Sequence, residues 1–88
     1  MTTQFNARSK QGKVTITVTD KGIQLATKRP LKGTDTVFLK LGSIDFVTVN
    51  SKRFGTDSLS ITAGVNTIIL DTNDAEAISV AVNEVLNG

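Results

Sequence analysis

Between Lys13 and Asp20 the chain reads KVTITVTD, and its apolar and polar residues alternate without a break. Val14, Ile16 and Val18 share one parity, and Lys13, Thr15, Thr17 and Thr19 share the other. Successive side chains of an extended strand point to opposite faces, so this stretch offers one apolar face and one polar face. Its β-branched residues are stiff at χ1 and suit a pleated surface better than a helix. Such a strand needs a neighbour, and the next residues supply one. Asp20-Lys21-Gly22 is turn chemistry, with Gly22 able to take positive φ, and Ile23 and Leu25 resume the alternation.

The same period recurs downstream. TKRPLKGTD, Thr27 to Asp35, is a breaker stretch in which Pro30 removes a ladder donor and Gly33 loosens the backbone. Val37, Leu39 and Leu41 form a third inward set. In IDFVTVNSKRFGTDSLSI the phase flips, because Ile44 and Phe46 share one parity while Val47 and Val49 share the other. A β-bulge or a strand covered on both faces would produce that flip. After the SKRFGTD turn come Leu59 and Ile61, then a hairpin turn at Ala63-Gly64-Val65-Asn66, then Ile68 to Leu70. The spacing predicts about six or seven short strands. Residues 1–12, MTTQFNARSKQG, have no clear period and read as a flexible N-terminal arm docked by Phe5, leaving 13–88 as a single domain.

At the C-terminal end the period changes. DTNDAEAISVAVNEVLNG places Ala75, Ile78, Val82, Val85 and Leu86 on one side at 100° per residue, with Ala81 at the border. Asn73 is the expected cap, with Glu76 three residues on, and Asp74 and Glu76 suit the positive end of the helix dipole. Ala77 and Val80 fall on the outer side. Short turns make the strands antiparallel, and a sheet this small must bend to bury one face. The fold class is therefore α+β: bent antiparallel sheets capped by one C-terminal amphipathic helix. Burying Ile78, Val82, Val85 and Leu86 is worth about 1.5–3 kcal/mol each before entropy is deducted.

Composition limits the chemistry. With no cysteine and no histidine in 88 residues, disulfides, thiolate metal sites and the commonest general base are excluded. No apolar run approaches the roughly 20 residues that span a bilayer, and the first twelve residues lack the apolar core of a secretory signal. A cytoplasmic protein is the expectation. Net charge is only +2, but it is divided unevenly. All ten Lys and Arg lie in residues 1–53 with three of the eight acids, giving that stretch +7 and the remainder −5. Two electrostatic faces follow if the halves separate in space.

Four kinds of site come into question. Lys28, Arg29 and Lys32 flank Pro30, and Lys52 and Arg53 occupy the SKRFGTD turn. These five are the candidates for contact with the phosphates of nucleic acid or of an acidic membrane, although any solvated loop carries such charges. Arg53 is better suited than a lysine to bidentate contact. Asp71, Asp74 and Glu76 near the helix start resemble oxygen ligands, but helix capping accounts for them and no metal or cofactor is expected. No nucleophile has an evident base, and GxGxxG and GK[ST] motifs are missing, so neither catalysis nor a small-molecule substrate is expected. Finally, Ala77 and Val80 on the outer helix face, together with a free sheet edge, point to a protein partner or a second copy of the chain.

Taken together, Gly42-Ser43-Ile44-Asp45-Phe46-Val47, Phe54-Gly55, Leu59-Ser60-Ile61, Ile68-Ile69-Leu70 and Asp74-Ala75-Glu76-Ala77-Ile78 resemble the bacterial pleckstrin-homology-like domains, relatives of GRAM and PH modules. The hairpin KVTITVTDKGIQL is similar to that family's opening strands, and the resemblance spans roughly residues 13–86. It implies two nearly orthogonal antiparallel sheets with the helix plugging one end, and a non-catalytic binding or assembly module that often self-associates. Phe54-Gly55 would then be an aromatic anchor and a relieved corner. Lipid-binding PH domains concentrate basic residues in the loop between the first two strands. The turn read here as that loop is Asp20-Lys21-Gly22, short and half acidic, so lipid binding is not carried over.

Overall fold

The computed structural model describes residues 2–51 and 55–87. The strands are β1 (Thr3–Ser9), β2 (Gly12–Thr19), β3 (Gly22–Arg29), β4 (Gly33–Lys40), β5 (Phe46–Asn50), β6 (Ser58–Ala63) and β7 (Asn66–Asp71). Among the described residues a single 3-10 turn, Leu41–Ser43, links β4 to β5, and one helix, α1 (Ala75–Asn87), follows β7. These seven strands among the described residues form one antiparallel sheet in the order β4-β3-β2-β1-β7-β6-β5. The α+β class with a C-terminal helix is thus as the periodicity requires. Among the described residues no helix is long and apolar enough to cross a membrane.

The sheet curves, and the helix shows why. Helix α1 packs against β5 and β6 at one edge and against β2 further in. Strands β2 and β5 stand four places apart in the order, roughly 19 Å in a flat sheet. A helix with its side chains is only about 10–12 Å across, so both strands reach it only if the sheet wraps around it. Ile78 and Val82 are fully enclosed there with Ile16, Ile23, Leu59 and Ile61, and Val85 and Leu86 pack against the same cluster.

From Thr3 on, the expected N-terminal arm is a strand. Strand β1 pairs with β2 residue by residue, from Thr3 opposite Val18 to Ser9 opposite Gly12. Ala7 is buried and Phe5 packs against the core. The inward parity of β1 is Thr3, Phe5, Ala7 and Ser9, too weakly apolar to announce a strand; its partner β2 supplies the hydrogen bonds and the apolar face. The first hairpin turn is therefore Lys10-Gln11, and Asp20-Lys21 is the second. Gly12 and Gly22 open the strands after those two turns with φ of 147° and 151°. A Cβ at Gly12 would run into the Lys28 carbonyl oxygen, and one at Gly22 into that of Leu39.

Two other expectations change. The phase flip near Phe46 needs neither a bulge nor a doubly covered strand. Ile44 is buried ahead of β5, just past the 3-10 turn, and β5 itself runs in one phase with Val47 and Val49 half-buried and Phe46 outward. Nor do Val37, Leu39 and Leu41 form a buried inward set: Val37 is 50% exposed, Leu39 half-buried, and Leu41 lies in the 3-10 turn. At the helix start Asp74, not Asn73, precedes the first helical residue, and its carbonyl accepts from the Ile78 N–H at 2.8 Å.

One seam joins the two halves of the sheet. Between β1 and β7 a single registered pair, Arg8 opposite Asp71, carries the ladder across. Beside it Thr72, which is buried, donates its hydroxyl to the Asn6 carbonyl at 2.7 Å and accepts the Asp74 N–H at 3.0 Å. One side chain therefore ties β1, the end of β7 and the approach to α1.

Candidate functional site

The register of the first three strands gathers positive charge. Arg8 on β1 lies opposite Lys13 on β2, and Lys13 lies opposite Lys28 on β3. All three are exposed and share the outer parity, since Ala7 and Val14 on the other parity are buried. The result is a transverse row of three cations on neighbouring strands. A cleft of about 570 Å3 runs beside it, lined by Asn6, Arg8, Lys13 and Lys28 and faced by Thr56 and Thr72. Asp71 also borders this cleft and continues the row on β7. A second hollow of about 500 Å3 wraps the end of the sheet, with Lys10 and Pro30 added to the same cations.

The predicted basic residues separate into different roles. Lys28 belongs to the row. The Arg29 guanidinium Nη2 bonds the Asp35 carboxylate at 2.8 Å and the Gln11 Oε1 at 2.8 Å, so Arg29 braces the β1–β2 turn against the start of β4. Lys32 is exposed in the β3–β4 turn, beside the fully exposed Leu31, which holds φ at 65°. Lys52 and Arg53 lie outside the described residues, as does Phe54. Arg8, Lys10 and Lys13 were not picked out as binding residues from sequence. The signal was present, because a turn at Lys10-Gln11 sets 8 against 13 and a turn at Asp20-Lys21 sets 13 against 28. Drawing those registers required recognising β1.

A different surface lies at the far side. Strand β4 is the edge of the sheet and pairs only with β3, over eight uninterrupted positions from Gly33 opposite Arg29 to Lys40 opposite Gly22. Every β4 residue except Leu39 is exposed, including Val37 and Phe38 at 50% and 47%. On the concave side a groove of about 540 Å3 reaches from Val37 past Leu25 and Val14 to Ile68 and Leu70 on β7. On the helix, Ala77 and Val80 are exposed on the outer side, as the 3.6-residue period requires.

The acids near the helix do not converge. Asp71 sits in the sheet opposite Arg8 and Ser58, whereas Asp74 and Glu76 stand at the helix start. Among the described residues no three Asp, Glu, His or Cys side chains come together as a group able to hold a metal ion. Compared with known protein families and with curated proteins, the chain matches none.

Proposed function

We propose that this protein is a non-catalytic interaction module of PH-like type that takes an extended segment of a protein partner, or β4 of a second copy, alongside its β4 edge. The observation that carries the reading is the state of that edge. Edge strands in natural sheets are blunted by Pro, bulges, inward charges or a covering element. Strand β4 has no Pro and keeps unbroken register, its one inward-parity charge, Asp35, is engaged by Arg29, and two large apolar side chains stand in solvent. An added strand would gain main-chain hydrogen bonds from the edge and side-chain contacts from the alternating residues. Val37 would enter the concave groove, and Phe38 would face the other way. The order of seven antiparallel strands and a closing helix supports the resemblance to PH-like domains.

Self-pairing is the form most directly measured. Sedimentation velocity at rising concentration should show species heavier than the 9.4 kDa monomer. Val37→Lys should return the chain to monomer, because a charge in the groove and on the edge opposes strand addition. Val80→Asp should leave the larger species intact. Loss of assembly with Val80→Asp but not with Val37→Lys would move the interface to the outer helix face. A wild-type monomer at millimolar concentration whose β4 edge also takes up no β4-derived peptide would remove the reading.

A further inference from the structure

We propose that the outer face of β1, β2 and β3 binds single-stranded nucleic acid through the in-register cations Arg8, Lys13 and Lys28. This surface and this ligand lie beyond the β4 edge, and the cations that carry them are on other strands. Like charges directly opposite on neighbouring strands destabilise a sheet, and here two such pairs follow one another, Arg8 with Lys13 and Lys13 with Lys28. The positions are exposed, so the core does not require a long cationic side chain at any of them. A bound polyanion turns that repulsion into attraction.

The shape suits an extended strand of phosphates. The row spans two inter-strand spacings, roughly 10 Å, which makes it a track rather than a point. The adjoining cleft of about 570 Å3 falls within the range of small-ligand sites and is of a size to take a nucleotide. Its walls add the neutral hydrogen-bonding side chains Asn6, Thr15, Thr56 and Asn73; Asp71 is the one acid, at the β7 end. Further along the same face Thr17 lies between Gln4 and Gln24, and Gln24 is opposite Phe38. Phe38 is therefore an aromatic on the cationic face, available for base stacking, which is the usual sequence-tolerant contact to unpaired bases. An acidic membrane would instead use Leu31, which stands fully exposed at the β3–β4 turn next to Lys32.

The experiment is fluorescence anisotropy with a labelled oligothymidylate of about 15 nucleotides, titrated across a salt series with the full chain. Three phosphate contacts predict a slope of log K against log salt of about −2. Lys13→Gln with Lys28→Gln should weaken binding at least about tenfold at low salt and flatten the slope to about −0.7. The charge-matched pair Lys21→Gln with Lys40→Gln removes exposed cations outside the row and should weaken binding far less. Thermal melting should show Lys13→Gln with Lys28→Gln as stable as wild type or more so, since two like-charge contacts are relieved. Three results would each overturn the proposal: no oligonucleotide binding at about 20 mM salt, equal losses in the two variant pairs, or Lys13- and Lys28-dependent binding to phosphatidylserine vesicles by a protein that ignores the oligonucleotide.

Discussion

Strands β4 and β5 occupy the same topological position, the two edges of one curved sheet, yet they are built differently. On β5, Val47 and Val49 are half-buried and α1 packs against the strand. On β4, eight residues lie in register with β3 and little else, and Val37 is as much in water as in protein. Both sequences alternate, and both carry valine on the inward parity. Only one edge received the helix. The chain follows its last strand, β7, with α1, and β7 lies two places from β5 but four from β4. A single thirteen-residue helix covers one side of the bend and leaves the opposite edge and its groove uncovered.

The comparison is sharpest in stability. Ile78 is fully enclosed between α1 and the sheet, so Ile78→Ala should cost about 2–5 kcal/mol through lost transfer energy and the cavity left behind. For a domain this small that is a large part of a total of about 5–10 kcal/mol. Val37→Ala removes a similar apolar group from the bare edge and should change stability by no more than about 0.5 kcal/mol. Urea midpoints for the two variants would decide the matter. Comparable losses would mean that the β4 side is covered in solution, as it would be in an edge-paired assembly.

Local period made some of this legible and topology hid the rest. Val14, Ile16 and Val18, Leu59 and Ile61, and the Ile78–Val82 stripe were readable because β-branched or large apolar residues recur at the period of the element that buries them. Strand β1 was missed because its inward side chains at positions 5 and 7 are one phenylalanine and one alanine, a pattern too short to stand out from a polar tail. Val37 was expected inside because alternation tells which residues share a face and not whether anything covers that face. Coverage depends on strand order. The cation row was hidden for a related reason. Arg8, Lys13 and Lys28 are spaced by 5 and 15 residues, which looks like scatter until two hairpin registers are superposed. The basic residues that stand out in the sequence flank Pro30 or fill the SKRFGTD turn, whereas Arg8, Lys13 and Lys28 all lie on strands.

The seam between the halves offers a test of intermediate size. With one registered pair joining β1 to β7, the Thr72 hydroxyl adds a side-chain tie across the seam. Thr72→Val keeps the shape but removes the part-buried bonds to the Asn6 carbonyl and from the Asp74 N–H, a loss of about 0.5–1.5 kcal/mol. Amide exchange should quicken at Asp74 and at the end of β7, while the interior of the β2–β3 hairpin keeps its protection. A uniform loss of protection across the domain would show that the two halves open as one unit and that the seam is no weaker than the strands it joins.

The smallest effect belongs to the bare edge. Arg29 bridges Asp35 at 2.8 Å, with side chains 36% and 56% exposed. Exposed pairs of this kind contribute between about 0 and 1 kcal/mol, so Asp35→Asn should barely move the unfolding midpoint. Its informative readout is elsewhere. Asp35 is the only acid on β4, and the Arg29 guanidinium that it engages is also bonded to Gln11 in the β1–β2 turn. Neutralising Asp35 leaves that guanidinium held only by Gln11, and removes a negative charge from the edge. If β4 is where chains add, Asp35→Asn should strengthen self-association severalfold at low salt, because two antiparallel copies would otherwise bring their acids onto one edge. An association constant unchanged at low salt, from a variant that folds normally, would place the contact between copies away from the N-terminal half of β4.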